Sequence, residues 1–350
     1  MKEQARNSRS AGIDLTKALA ICAVLLIHCT ANHYACHEVG SPRWLAADFY
    51  GSVSRWAVPV FMLCSGALMN GPERDLPLRK LFGRYLLRLA ASLTAWAVFY
   101  ELLRLWLSRG SAPVGELIQR MGQNLLYGNT YYHLYYFWFV FALYLALPLT
   151  RLLARHASEG ELRYILAVWL LGGGVLQFVR YFQPVAGMHS SLLYLLIPGP
   201  ILCPGLGLLG WYLYRRPPKR WYPAALTFLL GFAVTFLGTW RRSAAIGELD
   251  QFYLDGLGLF VLVMAVGLFR LCQWAGAHWT GMPGAVRFVS SASFCVYLIH
   301  PFFQALAKPA FFLTLPVYCA VPAQAALLLA LSLGAYWVLR RIPVVNRWLI

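Results

Sequence analysis

Long apolar runs recur along the whole chain, and each is about as long as a helix that crosses a membrane, roughly 20 residues. The runs are continuous rather than alternating, which predicts α-helices and not the strands of a membrane barrel. We therefore predict an all-α polytopic membrane protein with about ten transmembrane helices. The predicted spans are 12–33, 47–69, 79–107, 133–154, 161–179, 192–214, 222–240, 252–272, 287–308 and 319–339.

Composition supports this class, because the 350 residues are 60% hydrophobic and only 12% charged, whereas soluble domains carry about 25% charged residues. The predicted loops are too short for a soluble domain, so residues 1–350 are interpreted as a single membrane-embedded domain. The first apolar run lacks a convincing cleavage site and is interpreted as a retained helix rather than a signal peptide. The longest loop contains the amphipathic stretch VGELIQRMGQNLLYG, which is predicted to lie at the membrane interface.

The formal net charge of +17 is distributed unevenly along the chain. With ten spans, the two termini and every second loop share one side of the membrane, and most of the 30 Lys and Arg residues fall there. Basic residues concentrate on the cytoplasmic side of membrane proteins, so both termini are predicted to be cytoplasmic. The excess of positive charge is thereby explained as a topology signal, and nucleic-acid binding is not predicted.

The first span contains two ionisable residues in KALAICAVLLIHCT, namely Lys17 and His28. Their separation of eleven residues places them about 20° apart around a helix and about 16 Å apart along it. Asp14 falls within about 40° of His28 on the same projection. Because such groups are costly in lipid, the three residues predict a polar stripe that faces a cavity or a partner helix. Two alternatives stay open: Lys17 snorkels to the interface, and His28 makes a structural hydrogen bond.

Basic residues also begin the third span, in LRKLFGRYLLRL. Arg84 and Arg88 are i,i+4 neighbours on one helical face, with Lys80 in line behind them. Such a row suits the phosphates of a nucleotide-bearing substrate, although the cytoplasmic bias of basic residues also accounts for it. In the second span, Arg55 is a candidate for clamping an anionic or sugar-phosphate group, or an ordinary interface anchor.

Two further histidines are candidates for contact with a polar acceptor. His133 opens the fourth span inside an aromatic belt, where an interfacial histidine is also expected. His300 precedes Pro301, which has no backbone N–H to donate, and a structural role fits His300 equally well. His33 and His37 have helical i,i+4 spacing, but no third ligand stands out, and no metal site is predicted.

Several of these stretches, in the same order, resemble the acyltransferase 3 family of multi-pass membrane acyltransferases. GIDLTKALAICAVLLIHCT is similar to the family pattern of a basic residue and a histidine with ten residues between them, at Lys17 and His28, with an acidic residue at Asp14. SRWAVPVFMLCSGALM, HLYYFWFVFALYLALPL and SFCVYLIHP resemble further family blocks. The basic motif of the third helix departs from the family's Arg-x-x-Arg, since Arg84 and Arg88 are four residues apart. The Ser-Arg-x-x-Val-Pro block and the lack of an appended domain most resemble the enterobacterial common antigen O-acetyltransferase subgroup.

The residues and the resemblance together imply an O-acyltransferase of the bacterial cytoplasmic (inner) membrane. It would move an acetyl group from cytoplasmic acetyl-CoA, as co-substrate and with no other cofactor, to a hydroxyl of a cell-surface polysaccharide or its lipid-linked precursor. His28, with Asp14, is the expected catalytic residue, acting as a neutral base or by briefly carrying the acetyl group. The expected donor-binding residues are Lys17, Lys80, Arg84 and Arg88, and the expected acceptor-binding residues are Arg55, His133, His300, Asp250 and Asp255.

Alternatives from other functional classes also fit an apolar bundle with a polar stripe. A transporter or exporter of a small solute or glycan would use the stripe to line a permeation path. The chain shows no clear internal repeat, which counts against an inverted-repeat transporter. A third alternative is the membrane module of a sensor. The sequence leaves open the acceptor sugar, the choice between acetyl and succinyl, and the oligomeric state.

Overall fold

The structure is a computed structural model that describes residues 2–71, 75–109, 113–179, 182, 199–279, 281–307 and 309–350. Every regular element in these ranges is a helix. In chain order they are α1 (Lys2–Cys36), α2 (Pro42–Ser54), α3 (Ala57–Met69), α4 (Leu78–Leu107), α5 (Val114–Leu126), α6 (Tyr136–Leu145), α7 (Leu147–His156), α8 (Glu159–Val179), α9 (Gly199–Tyr214), α10 (Tyr222–Ile246), α11 (Leu259–His278), α12 (Gly284–Leu306), α13 (Pro309–Thr314), α14 (Val317–Leu339) and α15 (Pro343–Trp348).

Within the described ranges, eight helical segments are long and apolar enough to cross a membrane. They are Ala11–Cys36, Pro42–Met69, Leu78–Leu107, Glu159–Val179, Tyr222–Ile246, Leu259–His278, Gly284–Leu306 and Val317–Leu339. The pair α6 and α7, bent by 50°, adds a ninth if it forms one span. The prediction of a helical multi-pass membrane protein is therefore confirmed. The count of ten stays a prediction, because the predicted span 192–214 falls partly outside the described residues and its described part is the short helix α9.

The predicted span 252–272 begins later than expected, at Leu259. The preceding residues form turns rather than helix. Asp255 Oδ1 accepts a hydrogen bond from the main-chain N–H of Leu257 at 3.0 Å, and Gly258 then precedes the helix in an extended conformation. Aspartate commonly bonds to the backbone two residues ahead in turns, which competes with helix formation.

The second span is interrupted between α2 and α3, at Arg55 and Trp56. Pro59 explains the break, because it has no N–H to donate to the carbonyl of Arg55 one turn earlier. The interruption leaves Arg55 at a helix end rather than within a continuous helix. A charged side chain thus lies at an irregular position within the span.

Helix α1 lies at the centre of the bundle and packs against α2, α3, α11, α12 and α14. Small residues permit close approach at its N-terminal end, where a Cβ on Gly276 of α11 would overlap the main chain of Gly12. Gly66 of α3 has the same role against Gly207 of α9. Small residues at helix contacts are typical of membrane bundles, in which packing replaces the hydrophobic effect between helices.

Candidate active site

The polar residues of α1 lie on the side of the helix that meets the bundle interior. Asp14 Oδ1 accepts a hydrogen bond from Ser290 Oγ of α12 at 2.7 Å. At the other end of the stripe, the carbonyl of His28 accepts a hydrogen bond from Gln304 Nε2 at 3.0 Å. Asp14 and His28 are fourteen residues apart, about 21 Å along the axis. The structure therefore does not bring the Asp14 carboxylate to His28, and any role of Asp14 belongs to the Lys17 end of the stripe.

Three histidines from three segments meet near the C-terminal end of the α1 span. The ring centroids of His28 and His300 are 4.9 Å apart, and those of His300 and His133 are 5.7 Å apart. Tyr132 lies 5.2 Å from His28 and Tyr297 lies 5.3 Å from His133, measured between the same ring centres. His133 and His300 are buried, and His28 is half-buried. We call His28, His133 and His300 the histidine cluster.

The dipeptide His300-Pro301 sets the tautomer of one member of this cluster. Pro301 cannot donate to the carbonyl of Tyr297 four residues earlier, so that oxygen is free within the helix. His300 Nδ1 takes its place, 2.8 Å from the Tyr297 oxygen and 3.1 Å from the Val296 oxygen. Since carbonyl oxygens only accept, Nδ1 carries the hydrogen and Nε2 of the neutral ring keeps its lone pair. His300 Nε2 is buried and has no hydrogen-bond partner among the described residues.

A cavity of about 410 Å³ lies between α1, α3, α4, α6 and α12, and we call it the basic cavity. Lys17 and Arg88 line it. Along α1 it extends to Val24, one turn before His28. Tyr297 also lines it and touches the histidine cluster, since its hydroxyl donates a hydrogen bond to the main-chain oxygen of His133. The cavity thus runs from two basic side chains to the edge of the cluster.

The expected row of Lys80, Arg84 and Arg88 does not form one surface. Residues Leu81–Leu86 are π-helical, so the regular i,i+4 register assumed for the row does not hold there. Arg84 is exposed, and the Lys80 ammonium donates to the main-chain oxygen of Asp75 at 3.3 Å. Arg88 is half-buried, donates to the main-chain oxygen of Ile350 and lines the basic cavity. Only Arg88 of the three joins Lys17 in the lining.

Arg55 lies at the break between α2 and α3 and is half-buried. It interacts electrostatically with His28 and with two carboxylates, those of Asp48 and Asp255. Asp48 is fully buried and accepts hydrogen bonds from the hydroxyls of Tyr34 at 3.3 Å and Ser52 at 3.0 Å. Arg55 therefore connects the histidine cluster to a buried polar group on α2.

Asp250 is held by Arg242 and by the main chain, and its expected role beside the acceptor stays a prediction. Its carboxylate pairs with Arg242 at 2.8 Å and accepts a hydrogen bond from the N–H of Phe252 at 2.7 Å. Partial burial acts to raise the pKa of Asp250, but the hydrogen bonds and charge of Arg242 hold it below its ordinary value. Asp255 caps the turn before α11 while remaining in electrostatic range of Arg55. Of these two carboxylates, only Asp255 is connected to the cluster.

A second cavity, of about 300 Å³, lies between the C-terminal part of α4, the helix α5 and the loop before α6. We call it the tyrosine pocket, because Tyr100, Tyr131 and Tyr132 line it. The two cavities are lined by different stretches of α4: residues between Tyr85 and Ser92 line the basic cavity, and residues between Ala97 and Arg104 line the tyrosine pocket. Tyr132 of this pocket contacts His28, and Tyr297 of the basic cavity contacts His133, so each cavity reaches the histidine cluster through a tyrosine.

Two groups of this site were not among the expected residues. Asp48 is a charged residue inside an apolar span, seven positions before Arg55. A charged residue in such a span indicates a functional position, so the sequence could have identified Asp48. Tyr132 was included only in the aromatic belt, and no sequence pattern shows that it contacts His28. Within the described ranges, no three His, Cys, Asp or Glu side chains are placed to hold a metal. The His33 and His37 rings stack with centroids 5.8 Å apart.

Comparison with known proteins identifies the family but no individual relative. No curated protein matches this chain, and no solved structure matches it. A family model described as an acyltransferase domain, that of acyltransferase 3, matches residues 10–341. That range contains the basic cavity, the histidine cluster and the tyrosine pocket. The chain therefore belongs to the acyltransferase 3 family of membrane acyltransferases.

Proposed function

We propose that this membrane acyltransferase moves an acetyl group from cytoplasmic acetyl-CoA to a hydroxyl of a cell-surface polysaccharide or its lipid-linked precursor. The observation that carries the proposal is that two cavities, one of them with basic lining, each reach the histidine cluster through a tyrosine. Two cavities that approach one cluster from different sides suit two substrates that never share a compartment. As part of the same proposal, the protein lies in the bacterial inner membrane and is most like the enterobacterial common antigen O-acetyltransferases.

Lys17 and Arg88 would bind the phosphates of the donor at the cytoplasmic end of the basic cavity. The pantetheine arm would then lie along the cavity, past Val24, with its thioester towards Tyr297 and the cluster. Lys80 and Arg84 lie outside the cavity lining and would act on the donor only as it arrives. Asp14, held by Ser290, would position Lys17 rather than take part in the chemistry.

In a direct transfer, the acceptor hydroxyl would give its proton to a neutral imidazole of His28 as its oxygen bonds to the thioester carbon. The carbon–sulfur bond would then break, and the imidazolium would return the proton to the departing CoA sulfur. In a relay, His28 would attack the thioester first, release CoA thiol, and pass the acetyl group to the hydroxyl afterwards. His300 Nε2, with its unused lone pair, would support either route as a proton acceptor beside His28. Arg55 would stabilise negative charge near His28.

Replacing His28 with alanine tests the proposal. His28→Ala is expected to lower acetyl transfer from labelled acetyl-CoA by at least about hundredfold, since general acid–base groups contribute about 10²–10⁴ in rate. The matched control is His156→Ala, which changes an exposed histidine at the end of α7. Mass spectrometry of surface glycans from cells with each variant gives the second readout. Near-normal acetylation in His28→Ala, at equal protein level in the membrane, would contradict the proposal.

A further inference from the structure

The proposed donor site does not include the tyrosine pocket, and the lining of this pocket suits a different ligand. We infer that it binds a pyranose ring of the acceptor and presents one hydroxyl to His28. This inference rests on the proposed function and assigns the acceptor to residues outside the expected set of Arg55, His133, His300, Asp250 and Asp255.

The aromatic lining gives the pocket faces that suit a sugar ring. Tyr131 stacks on Tyr100 with ring centroids 4.4 Å apart and planes inclined by 19°, which fixes both rings. Tyr132 is half exposed and lies next to Tyr131, with centroids 4.9 Å apart. Aromatic faces carry negative charge density and attract the weakly positive C–H groups of a pyranose face. Tyr131 and Tyr132, backed by the buried Tyr100, therefore favour a carbohydrate over a purely apolar ligand.

Uncharged polar groups in the same lining match the hydroxyls of a sugar. Asn124 of α5 and Asn129 and Thr130 of the following loop, which carry amide and hydroxyl groups, are among the residues that line the pocket. Thr130 Oγ1 is buried and has no hydrogen-bond partner among the described residues. Buried polar atoms are nearly always paired in folded proteins, so Thr130 Oγ1, which lies beside the cavity without facing it, would turn towards a ligand hydroxyl on binding. Amides and hydroxyls both donate and accept, as sugar hydroxyls require.

A buried carboxylate paired with two arginines lies at one wall of the pocket. Glu101 of α4 is buried and lies 2.7 Å from Arg104 on the same helix and 2.7 Å from Arg120 on α5. The carboxylate is thereby compensated, and the contact joins α5 to the end of α4. The pocket is consequently neither strongly acidic nor shaped by a single charge. The three charges sum to +1, and the two in the lining, Glu101 and Arg104, cancel, which fits a neutral sugar.

The covering helix indicates where the ligand comes from. On one side, α5 exposes the apolar side chains Val114, Ile118 and Leu126, which are 72%, 64% and 83% accessible. Met121 and Leu125 line the pocket from the same apolar face, with Asn124 at its edge, and the opposite face carries the exposed Glu116, Gln119 and Gln123. A helix with apolar and polar faces of this kind lies in the plane of a membrane interface. The pocket beneath it is therefore placed at headgroup depth, where a sugar on a lipid carrier would arrive.

Tyr132 connects this pocket to the chemistry. Its ring lines the pocket and lies 5.2 Å from the His28 ring, measured between centroids. Its hydroxyl donates to Gln304 Oε1 at 3.2 Å, and Gln304 in turn donates to the His28 carbonyl. A sugar bound against Tyr132 would therefore hold a hydroxyl close to the half-buried face of His28.

The test uses purified protein in lipid nanodiscs with acetyl-CoA and defined sugars. The probes are the octyl and methyl glycosides of glucose, galactose, mannose and N-acetylglucosamine, and mass spectrometry detects the acetylated product. At least one pyranoside is expected to be acetylated, and Asn124→Ala and Thr130→Ala are each expected to raise its KM about tenfold. The control Gln123→Ala changes the exposed neighbour on α5 and is expected to leave that KM within twofold.

Acetylation of the octyl glycosides alone indicates a lipid-linked sugar, and equal use of the methyl glycosides indicates a free one.

Binding of acetyl-CoA, measured separately by calorimetry, is expected to be unchanged in the two pocket variants. An unchanged sugar KM in both pocket variants would overturn the inference, and so would failure of the wild-type protein to bind or acetylate any of the pyranosides. Failure of the proposed function is distinguishable, because it would appear as normal acetylation in His28→Ala whatever the pocket variants do. Size-exclusion chromatography of each variant shows that it is folded.

Discussion

The basic cavity and the tyrosine pocket adjoin the same histidine cluster, yet their walls have different chemistry and different origins. Transmembrane helices alone build the basic cavity, and Lys17 and Arg88 are its cations. The end of α4, the interfacial helix α5 and a loop build the tyrosine pocket, whose lining is aromatic and amide-rich. A substrate with a long arm and phosphates fits the first cavity, and a compact polar ring fits the second. The proposed roles of the two cavities, donor binding and acceptor binding, can be tested separately.

The largest expected effect is on the cluster that the two cavities share. His300→Asn keeps a donor near the position of Nδ1 for the Tyr297 oxygen but removes the lone pair at Nε2. We expect acetyl transfer to fall by about hundredfold, as for loss of a general acid–base group. Binding of acetyl-CoA and of the octyl glycosides should be unchanged, since neither cavity loses a lining residue. Transfer at more than half the wild-type rate would show that His300 is a packing residue.

A smaller effect is expected when the basic cavity alone is changed. Lys17→Ala and Arg88→Ala should each raise the KM for acetyl-CoA about tenfold, because a hydrogen bond to a charged group contributes about 1.5–3 kcal/mol. The KM for the sugar should stay the same. With acetyl-pantetheine, which lacks the phosphates beyond the arm, the two variants should behave like the wild type.

Two further arginines provide the comparison for that experiment. Arg84→Ala should have a smaller effect than Arg88→Ala, because Arg84 is exposed and lies outside the cavity lining. Arg79→Ala, an exposed change on the same helix, serves as the control. Equal losses in all four variants would mean that net charge at the membrane surface, rather than the cavity, binds the donor.

The two cavities also differ in how far the sequence predicts them. Rotation within one helix is set by backbone geometry, so the spacing of Lys17 and His28 already predicts that both lie on one inner face. The apolar runs likewise predict most spans within a few residues. The π-helical stretch before Leu87 is not visible in the spacing, and it separates Arg84 from Arg88. Periodicity fails wherever the backbone departs from the regular helix on which it depends.

The sequence does not predict the tyrosine pocket, and the reason is a different one. Tyr131 and Tyr132 read as ordinary interfacial aromatics in the sequence. Their contacts with Tyr100 of α4 and His28 of α1 depend on how distant helices pack. His133 belongs to the same stretch and is buried in the cluster instead of anchoring at the interface. Contacts between helices follow from the fit of whole surfaces, which no single segment encodes.

An effect of a few fold is expected for the residue that orients His300. Pro301→Ala restores an N–H that competes with His300 Nδ1 for the Tyr297 oxygen. A hydrogen bond of this kind contributes about 0.5–1.5 kcal/mol, so kcat should fall by about two- to tenfold. The KM values for acetyl-CoA and sugar should not change, which separates orientation of the ring from binding in either cavity. Pro322→Ala, in the interior of α14, is the matched control. An equal fall in kcat in that variant would mean that both substitutions act through helix stability and not through the orientation of His300.

The smallest effect concerns the wall that belongs to the tyrosine pocket alone. Glu101→Gln removes the charge that holds Arg120 of α5 against α4, a contact in which both arginines are partly exposed. Such partly exposed pairs contribute up to about 1 kcal/mol, so the helix should loosen without loss of the fold. Amide hydrogen exchange in residues 114–126 should speed up several-fold, whereas exchange around Lys17 and Arg88 should not change. Glu116→Gln, an exposed carboxylate on the same helix, should leave exchange as it is. If Glu101→Gln also leaves it unchanged, the packing of Met121 and Leu125 holds α5 in place, and the pocket keeps its shape without the ion pair.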